Sequence, residues 1–263
     1  MAALYAPSAF AETRLILAST TSTQNTGLFD VLLPAYYKWT KLKYIRVDVV
    51  AVGTGKAIET AKRGDADLLL MHDKEKEDAF VAEGYGVKRI SVMYNEFVVV
   101  GPMADPAGVK SAKSASGAFK KIAAAGSVFV SRGDESGTHA KEKKIWKEAG
   151  VDIASIKGYL SVGQGMEATI RIADEKGAYT LSDKATYLTT LDSLKYIRLL
   201  YEGDPGLFNQ YATIAVNPAK FPHTRIKEAQ DFIAFITGPA GQKVIGGFRD
   251  KKGNPLFMPN AHK

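Results

Sequence analysis

Strand-length apolar runs alternate along this chain with segments of helical spacing, and that alternation constrains the fold more than any other feature. Leu15-Ile16-Leu17-Ala18 is too short for a helix, whereas Leu28, Leu32, Ala35 and Tyr36 recur at helical spacing. Ile45–Val52 is rich in β-branched residues and stops at Gly53; a short helix is predicted through Ala57, Ile58 and Ala61, ending near Gly64. The run 67–71 is almost continuously apolar, as suits a strand covered on both faces. The second half repeats the pattern. Phe97-Val98-Val99-Val100 runs into Gly101-Pro102, and Val128-Phe129-Val130 precedes a polar glycine loop and a helix through Ile145, Trp146 and Ala149. Ala178 to Leu181 and Ile214-Ala215-Val216 read as later strands, and Ile226, Ala229, Ile233 and Ile236 share one helix face ended by Gly238-Pro239. Strands separated by helices in this way predict βαβ units, hence an α/β fold with mixed, mostly parallel sheets flanked by helices.

A length of 263 residues suits one large domain or two smaller ones, each able to bury its own core. No low-complexity linker and no internal repeat interrupts the chain, so the expected boundaries are strand crossings near 100–103 and 211–217. Residues 14–101 with 214–263 would form one lobe, and 102–213 a second lobe inserted into it. No apolar run approaches the roughly 20 residues that span a bilayer. The absence of cysteine excludes disulfides, thiolate metal sites, cysteine nucleophiles and a lipid-modified N-terminal cysteine. Ala9-Phe10-Ala11 before Glu12 fits a leader-cleavage pattern, so residues 1–13 read as the remnant of a secretory leader. The net charge of +7 favours anionic partners. Nucleic acid is one such partner and a small oxyanion another; the lysines alternate with acids, as in Lys74-Glu75-Lys76-Glu77-Asp78, which marks a solvated face and argues against nucleic acid.

Three loops share one construction, a strand followed by Ser, Thr and Gly and then a helix: Ser19-Thr20-Thr21-Ser22-Thr23, Gly53-Thr54-Gly55, and Ser131 to Thr138. Each places unpaired backbone N–H groups at a helix N-terminus, where the dipole favours an anion. A Ser or Thr before a helix is ordinarily just a cap contributing about 1 kcal/mol. Three such loops, one with five consecutive hydroxyl residues and one with Arg132, exceed what capping needs. Strand-to-helix turns gather at the carboxyl edge of an open sheet, so the three are expected to converge on one crevice. Arg132 offers planar donors suited to a tetrahedral oxyanion, with Asp134 or Glu135 as a neighbouring partner.

Catalytic patterns are weaker. Of the four histidines, only His139 adjoins a candidate loop; His72, His223 and His262 do not, and Ser136-Gly137-Thr138-His139 is not a nucleophile elbow. Gly53-Thr54-Gly55-Lys56 lacks the spacing of a phosphate-cradling loop, and no metal-ligand spacing occurs. Asp65 and Asp67 read as turn residues after Gly64.

In order along 14–215, Thr20-Thr21-Ser22-Thr23 with Gly27-Leu28, Val52-Gly53-Thr54-Gly55, Gly64-Asp65-Ala66-Asp67, His72-Asp73, Ser131-Arg132-Gly133-Asp134 with Ser136-Gly137-Thr138, and Tyr179-Thr180-Leu181 resemble the tungstate-binding periplasmic components of ABC transporters, relatives of molybdate-binding proteins. The resemblance implies a periplasmic binding protein fold of the type II class, with tungstate or molybdate held between two lobes. Its donors would be Thr20, Thr21, Ser22 and Thr54, with Arg132, Thr138 and backbone N–H groups at Gly165 and Met166 from the inserted lobe. It further implies a monomer in the periplasm, delivery to a permease in the inner membrane, no cofactor, no direct metal ligand and no catalysis. The alternatives are a phosphate- or sulfate-type receptor, with Asp134 as the acceptor a protonated phosphate needs, and an enzyme on the same fold using His139.

Overall fold

A computed structural model describes residues 12–261, so the leader reading of 1–13 lies almost wholly outside the described residues, and His262 wholly so. Strand β1 (Thr13–Thr20) passes through one turn of helix, α1 (Thr21–Asn25), and the left-handed Gly27 into α2 (Leu28–Trp39). Then follow β2 (Ile45–Val52), α3 (Thr54–Lys62), β3 (Leu68–Met71) and α4 (Lys74–Ala82). β1 lies parallel to both β2 and β3, with Thr20 opposite Val52 and Ser19 opposite Leu70. The three strands therefore finish level, and the residues that follow them, from Thr20, Gly53 and His72 onward, emerge along one edge.

The next strand, β4 (Gly86–Pro102), is 17 residues long and serves two sheets. After it come α5 (Ala115–Ala124), β5 (Phe129–Ser131), α6 (Gly137–Glu148), β6 (Tyr159–Ser161), α7 (Met166–Lys176), β7 (Thr180–Asp183), α8 (Lys184–Thr190) and β8 (Ile197–Tyr201). The chain returns through β9 (Phe208–Val216) to α9 (Ile226–Thr237), α10 (Pro239–Gly247) and β10 (Met258–Pro259). Up to Glu96, β4 pairs with β9; from Phe97 it pairs with β7 and then β8. The sheet order is β10-β4-β9-β3-β1-β2, with β5 and β6 in a separate parallel pair.

β4 changes partner between Glu96 and Phe97, just upstream of the crossing expected at 100–103, and β9, which overlaps the crossing expected at 211–217, pairs along its whole length with β3 or β4. The apolar run 97–100 marks only the downstream half of β4; the upstream half mixes core residues Val92 and Met93 with Lys88, Arg89, Asn95 and Glu96, so its pairing leaves no continuous apolar run. Strand pairs are parallel in β1–β2, β1–β3 and β5–β6, while every partner of β4 runs antiparallel to it, so the sheets are mixed.

Alternate residues of each strand feed separate cores, as the pleat requires. Leu15, Leu17, Leu68 and Leu70 pack with Tyr36, Phe232 and Phe235, whereas Ala18, Leu69 and Met71 pack with Ile58 and Phe80 on the opposite face. In the second lobe, Phe97 and Val99 join Phe119, Phe129 and Trp146, and Val98 and Val100 join Ile170 and Ile197. The structure corrects the turn reading of Asp67. Its buried carboxylate accepts from Ile16 N and Arg225 N, both at 2.7 Å, and ties the start of β3 to β1 and to the approach to α9.

Candidate functional site

Thr20 ends β1 and caps α1, accepting from Thr23 N at 3.3 Å. The same hydroxyl lies 3.1 Å from Ser22 Oγ and 2.8 Å from Thr23 Oγ1, so the hydroxyl run folds into a buried cluster rather than dispersing to solvent. Gly53 opens α3 without a side-chain cap. The hydroxyl of Thr54, the first residue of that helix, instead accepts from Gly137 N at 3.2 Å, at the start of α6. That bond joins a loop of the first lobe to one of the second. A parallel tie runs from Lys76 Nζ on α4 to the carbonyl oxygen of Glu135 at 3.1 Å.

The third loop folds around Arg132, whose side chain is only 3% exposed. Its Nη2 donates to Asp134 Oδ2 at 2.5 Å, Asp134 Oδ1 accepts from Ser136 N at 3.3 Å, and Ser136 Oγ caps α6 by accepting from His139 N. Gly133 is obligatory here: at φ 59°, a Cβ would come within 1.9 Å of Ser161 Oγ. Burial alone would push the Asp134 carboxyl up, but the Arg132 charge and the hydrogen bonds from Ser136 and Arg132 outweigh it and hold the group below its ordinary value. A fourth loop, not singled out from its residue chemistry, contributes Gly165. It opens α7 with no side-chain cap, and a Cβ there would meet nothing within 4 Å.

The four loops meet around a cavity of about 470 Å³ whose wall includes Thr21, Gly53, Arg132, Asp134 and Gly165, with Glu167 and Arg171 at its rim. Three of the expected donors, Thr21, Arg132 and Gly165, thus stand on its wall. Thr20, Ser22, Thr54 and Thr138 are buried in the loops that build it. The Met166 side chain packs into the core beside Val98 and Ile170, so only its backbone N–H, in the first turn of α7, is left to serve the site. Arg132 Nε and Thr138 Oγ1 are buried without a hydrogen-bond partner, as is His72 Nδ1. Leaving a buried polar group unpaired costs about 1–3 kcal/mol, so the orphaned Arg132 N–H on the cavity wall is a built-in demand for an acceptor, and the Thr138 hydroxyl, buried in the same loop, carries the same demand.

Two residues of this region escaped the residue-by-residue reading. His72 follows β3 on the edge where Thr20 and Gly53 emerge, and its buried ring lies 3.5 Å from the hydroxyls of both Thr20 and Ser22. The level ends of three parallel strands were the available signal. Gly137 packs against that ring, where a Cβ would stand 3.2 Å from His72 Cε1. His139, the candidate base, is turned to its own loop, its Nδ1 accepting from Glu135 N at 3.1 Å.

Two lobes spliced by one long strand, with helix N-termini from both facing a shared cavity, define a binding-protein fold with an anion site between its lobes. The sequence comparison agrees: residues 7–240 match the PBP superfamily domain, and the chain belongs to the periplasmic-binding-protein superfamily, in the type II class. More specifically, it is 44% identical over 252 residues to the tungstate-binding protein TupA of Peptoclostridium acidaminophilum, an alignment covering 95% of this chain and 86% of that one. Among solved structures it resembles the tungstate-binding protein TupA from Desulfovibrio alaskensis G20 (TM-score 0.82, 45% identity, 95% of this chain and 99% of the other). It also resembles the tungstate ABC transporter protein of Geobacter sulfurreducens (TM-score 0.81, 47% identity, 90% and 99%).

Proposed function

We propose that this protein is a periplasmic solute receptor that captures tungstate, or its chemical twin molybdate, between its lobes and delivers it as a monomer to an ABC transporter permease in the inner membrane. The observation that carries the reading is the buried Arg132 guanidinium, its Nε without a partner among the described residues, on the wall of a cavity framed by uncapped helix N-termini. Tungstate and molybdate are tetrahedral dianions with no proton at neutral pH; they need donors and no acceptor. Both oxygens of Asp134 are already engaged by Arg132 and Ser136, which disfavours the protonated phosphate that would need one of them. The proposed donors are Thr20, Thr21, Ser22, Thr54, Arg132 and Thr138, with the backbone N–H groups of Gly165 and Met166. Both lobes donate, so ligand stabilises the closed arrangement. No catalytic step and no cofactor is assigned; the ion itself is the cargo.

The test is calorimetry and thermal unfolding with tungstate, molybdate and sulfate. Tungstate at 100 times its Kd should stabilise the fold by about 2.7 kcal/mol through mass action. Sulfate, equally free of protons but smaller, should shift the melting temperature far less. Equal shifts from sulfate and tungstate would defeat the assignment.

A further inference from the structure

His72 is held from three sides by groups that the capture of an anion does not by itself require. Its ring packs against that of Tyr211 of β9, with centroids 4.6 Å apart and the planes tilted by 32°. Its Cε1–Nδ1 edge faces Gly137 of the second lobe, close enough that an alanine there would press on it. Its Nε2 sits 3.5 Å from both Thr20 Oγ1 and Ser22 Oγ. A hydroxyl carries a single proton. If Thr20 and Ser22 are to spend theirs on an oxyanion, the oxygens must be oriented by hydrogen bonds they receive, and one such bond already reaches Thr20 from Thr23 N.

Resting on the oxyanion reading, we propose that His72 is a positioning residue of the site: its neutral, Nε2-protonated tautomer donates into the Thr20–Ser22 hydroxyl pair and so turns the hydroxyl protons toward the bound anion. The partnerless Nδ1 fits this tautomer, since a buried orphaned N–H is rarer than a bare acceptor. Burial disfavours the charged ring and outweighs the rest: Asp183, Asp73 and the Asn209 side chain favour the charge, while Arg132 opposes it. The contact with Gly137 adds one wall of the ring's pocket from the second lobe, which links hydroxyl orientation to how the two lobes meet.

Replacement by glutamine keeps an N–H donor near the Nε2 position, whereas phenylalanine keeps the ring packing and removes the donor. His72→Gln should retain tungstate affinity within about threefold, and His72→Phe should lose about 10- to 100-fold, the range for deleting a hydrogen bond that serves a charged group. The apo melting temperatures of both should stay close to that of the unmodified protein. Nitrogen NMR of the unmodified protein should show Nε2–H in both free and tungstate-bound states from pH 6 to 8, and the binding heat should not depend on the ionisation enthalpy of the buffer. Equal losses in both variants, an unchanged His72→Phe, or an Nδ1–H or imidazolium signal would overturn the proposal. The NMR result on the apo protein decides the tautomer even if His72→Phe fails to fold. Failure of the unmodified protein to bind tungstate would instead strike at the oxyanion reading.

Discussion

Replacing Arg132 by alanine probes the site most directly. The guanidinium is buried on the cavity wall, with one bond to Asp134 and an unpartnered Nε. With one or two of its N–H groups given to a dianion, the lost charge-assisted bonds are each worth about 1.5–3 kcal/mol, or about 3–6 kcal/mol for two. Every 1.4 kcal/mol is about tenfold, so tungstate affinity should fall by about 10- to 100-fold for one lost bond and by about 10²–10⁴ for two. The free protein should lose stability at neutral pH, because Asp134 loses the guanidinium that pairs with it, although it keeps its bond from Ser136 N. The acid limb changes too. Asp134 is now held below its ordinary value, so its contribution to stability is present above the unfolded pKa and lost as pH falls through the folded one. Without Arg132 that contribution shrinks, and acid unfolding should begin at a higher pH. Calorimetric titration combined with melting curves from neutral to acid pH reads both effects. A variant that binds within threefold of the parent would refute the placement of Arg132 at the ligand.

Gly137→Ala should push a methyl group to 3.2 Å from His72 Cε1, against a ring that Tyr211 prevents from yielding. It should weaken the Gly137 N–Thr54 Oγ1 bond between the lobes, lower tungstate affinity by about three- to tenfold and leave the apo melting point unchanged. Small-angle scattering at saturating tungstate should then show a more open particle, and a scattering curve identical to the parent's would count against the clash. Glu142, buried under the arginine loop and bonded by Tyr159 and Trp146, has its carboxyl pushed up to about 7 by burial despite those bonds. The folded state therefore holds a proton that the unfolded chain releases near 4.5, and this contribution is full at acid pH and lost as pH rises through about 7. Glu142→Gln keeps an acceptor oxygen and should remove that part of the pH dependence, so its melting curve should gain on the parent's toward pH 8; parallel curves would show that Glu142 titrates normally.

Several elements were legible because the residue pattern and the local structure obey the same period. β2 runs from Ile45 to Val52 and gives way at Gly53, as its β-branched run and the glycine predict. The α9 stripe of Ile226, Ala229, Ile233 and Ile236 faces the core and ends at Gly238. The three hydroxyl loops were legible too, since Ser, Thr and Gly clusters between a strand and a helix have few other uses. Other features left faint traces. The upstream half of β4 carries Lys88, Arg89, Asn95 and Glu96, polar residues that cross-strand pairing tolerates and periodicity does not detect. Asp67 looked like a turn residue because its type suits turns; its burial comes from two backbone donors 51 and 158 residues away.

By itself the sequence determined the α/β class, the anion-seeking character of the loops and the exclusion of cysteine chemistry. Those properties reside in residue types and in spacings a few positions long. Tertiary structure decided which loops face one another, where one strand passes from lobe to lobe, and that His72 backs the Thr20–Ser22 pair. Those outcomes depend on pairing between distant segments, as when Thr54 meets Gly137 across 83 positions. A backbone N–H that finds its acceptor that far along the chain imposes no particular residue type on the segment between.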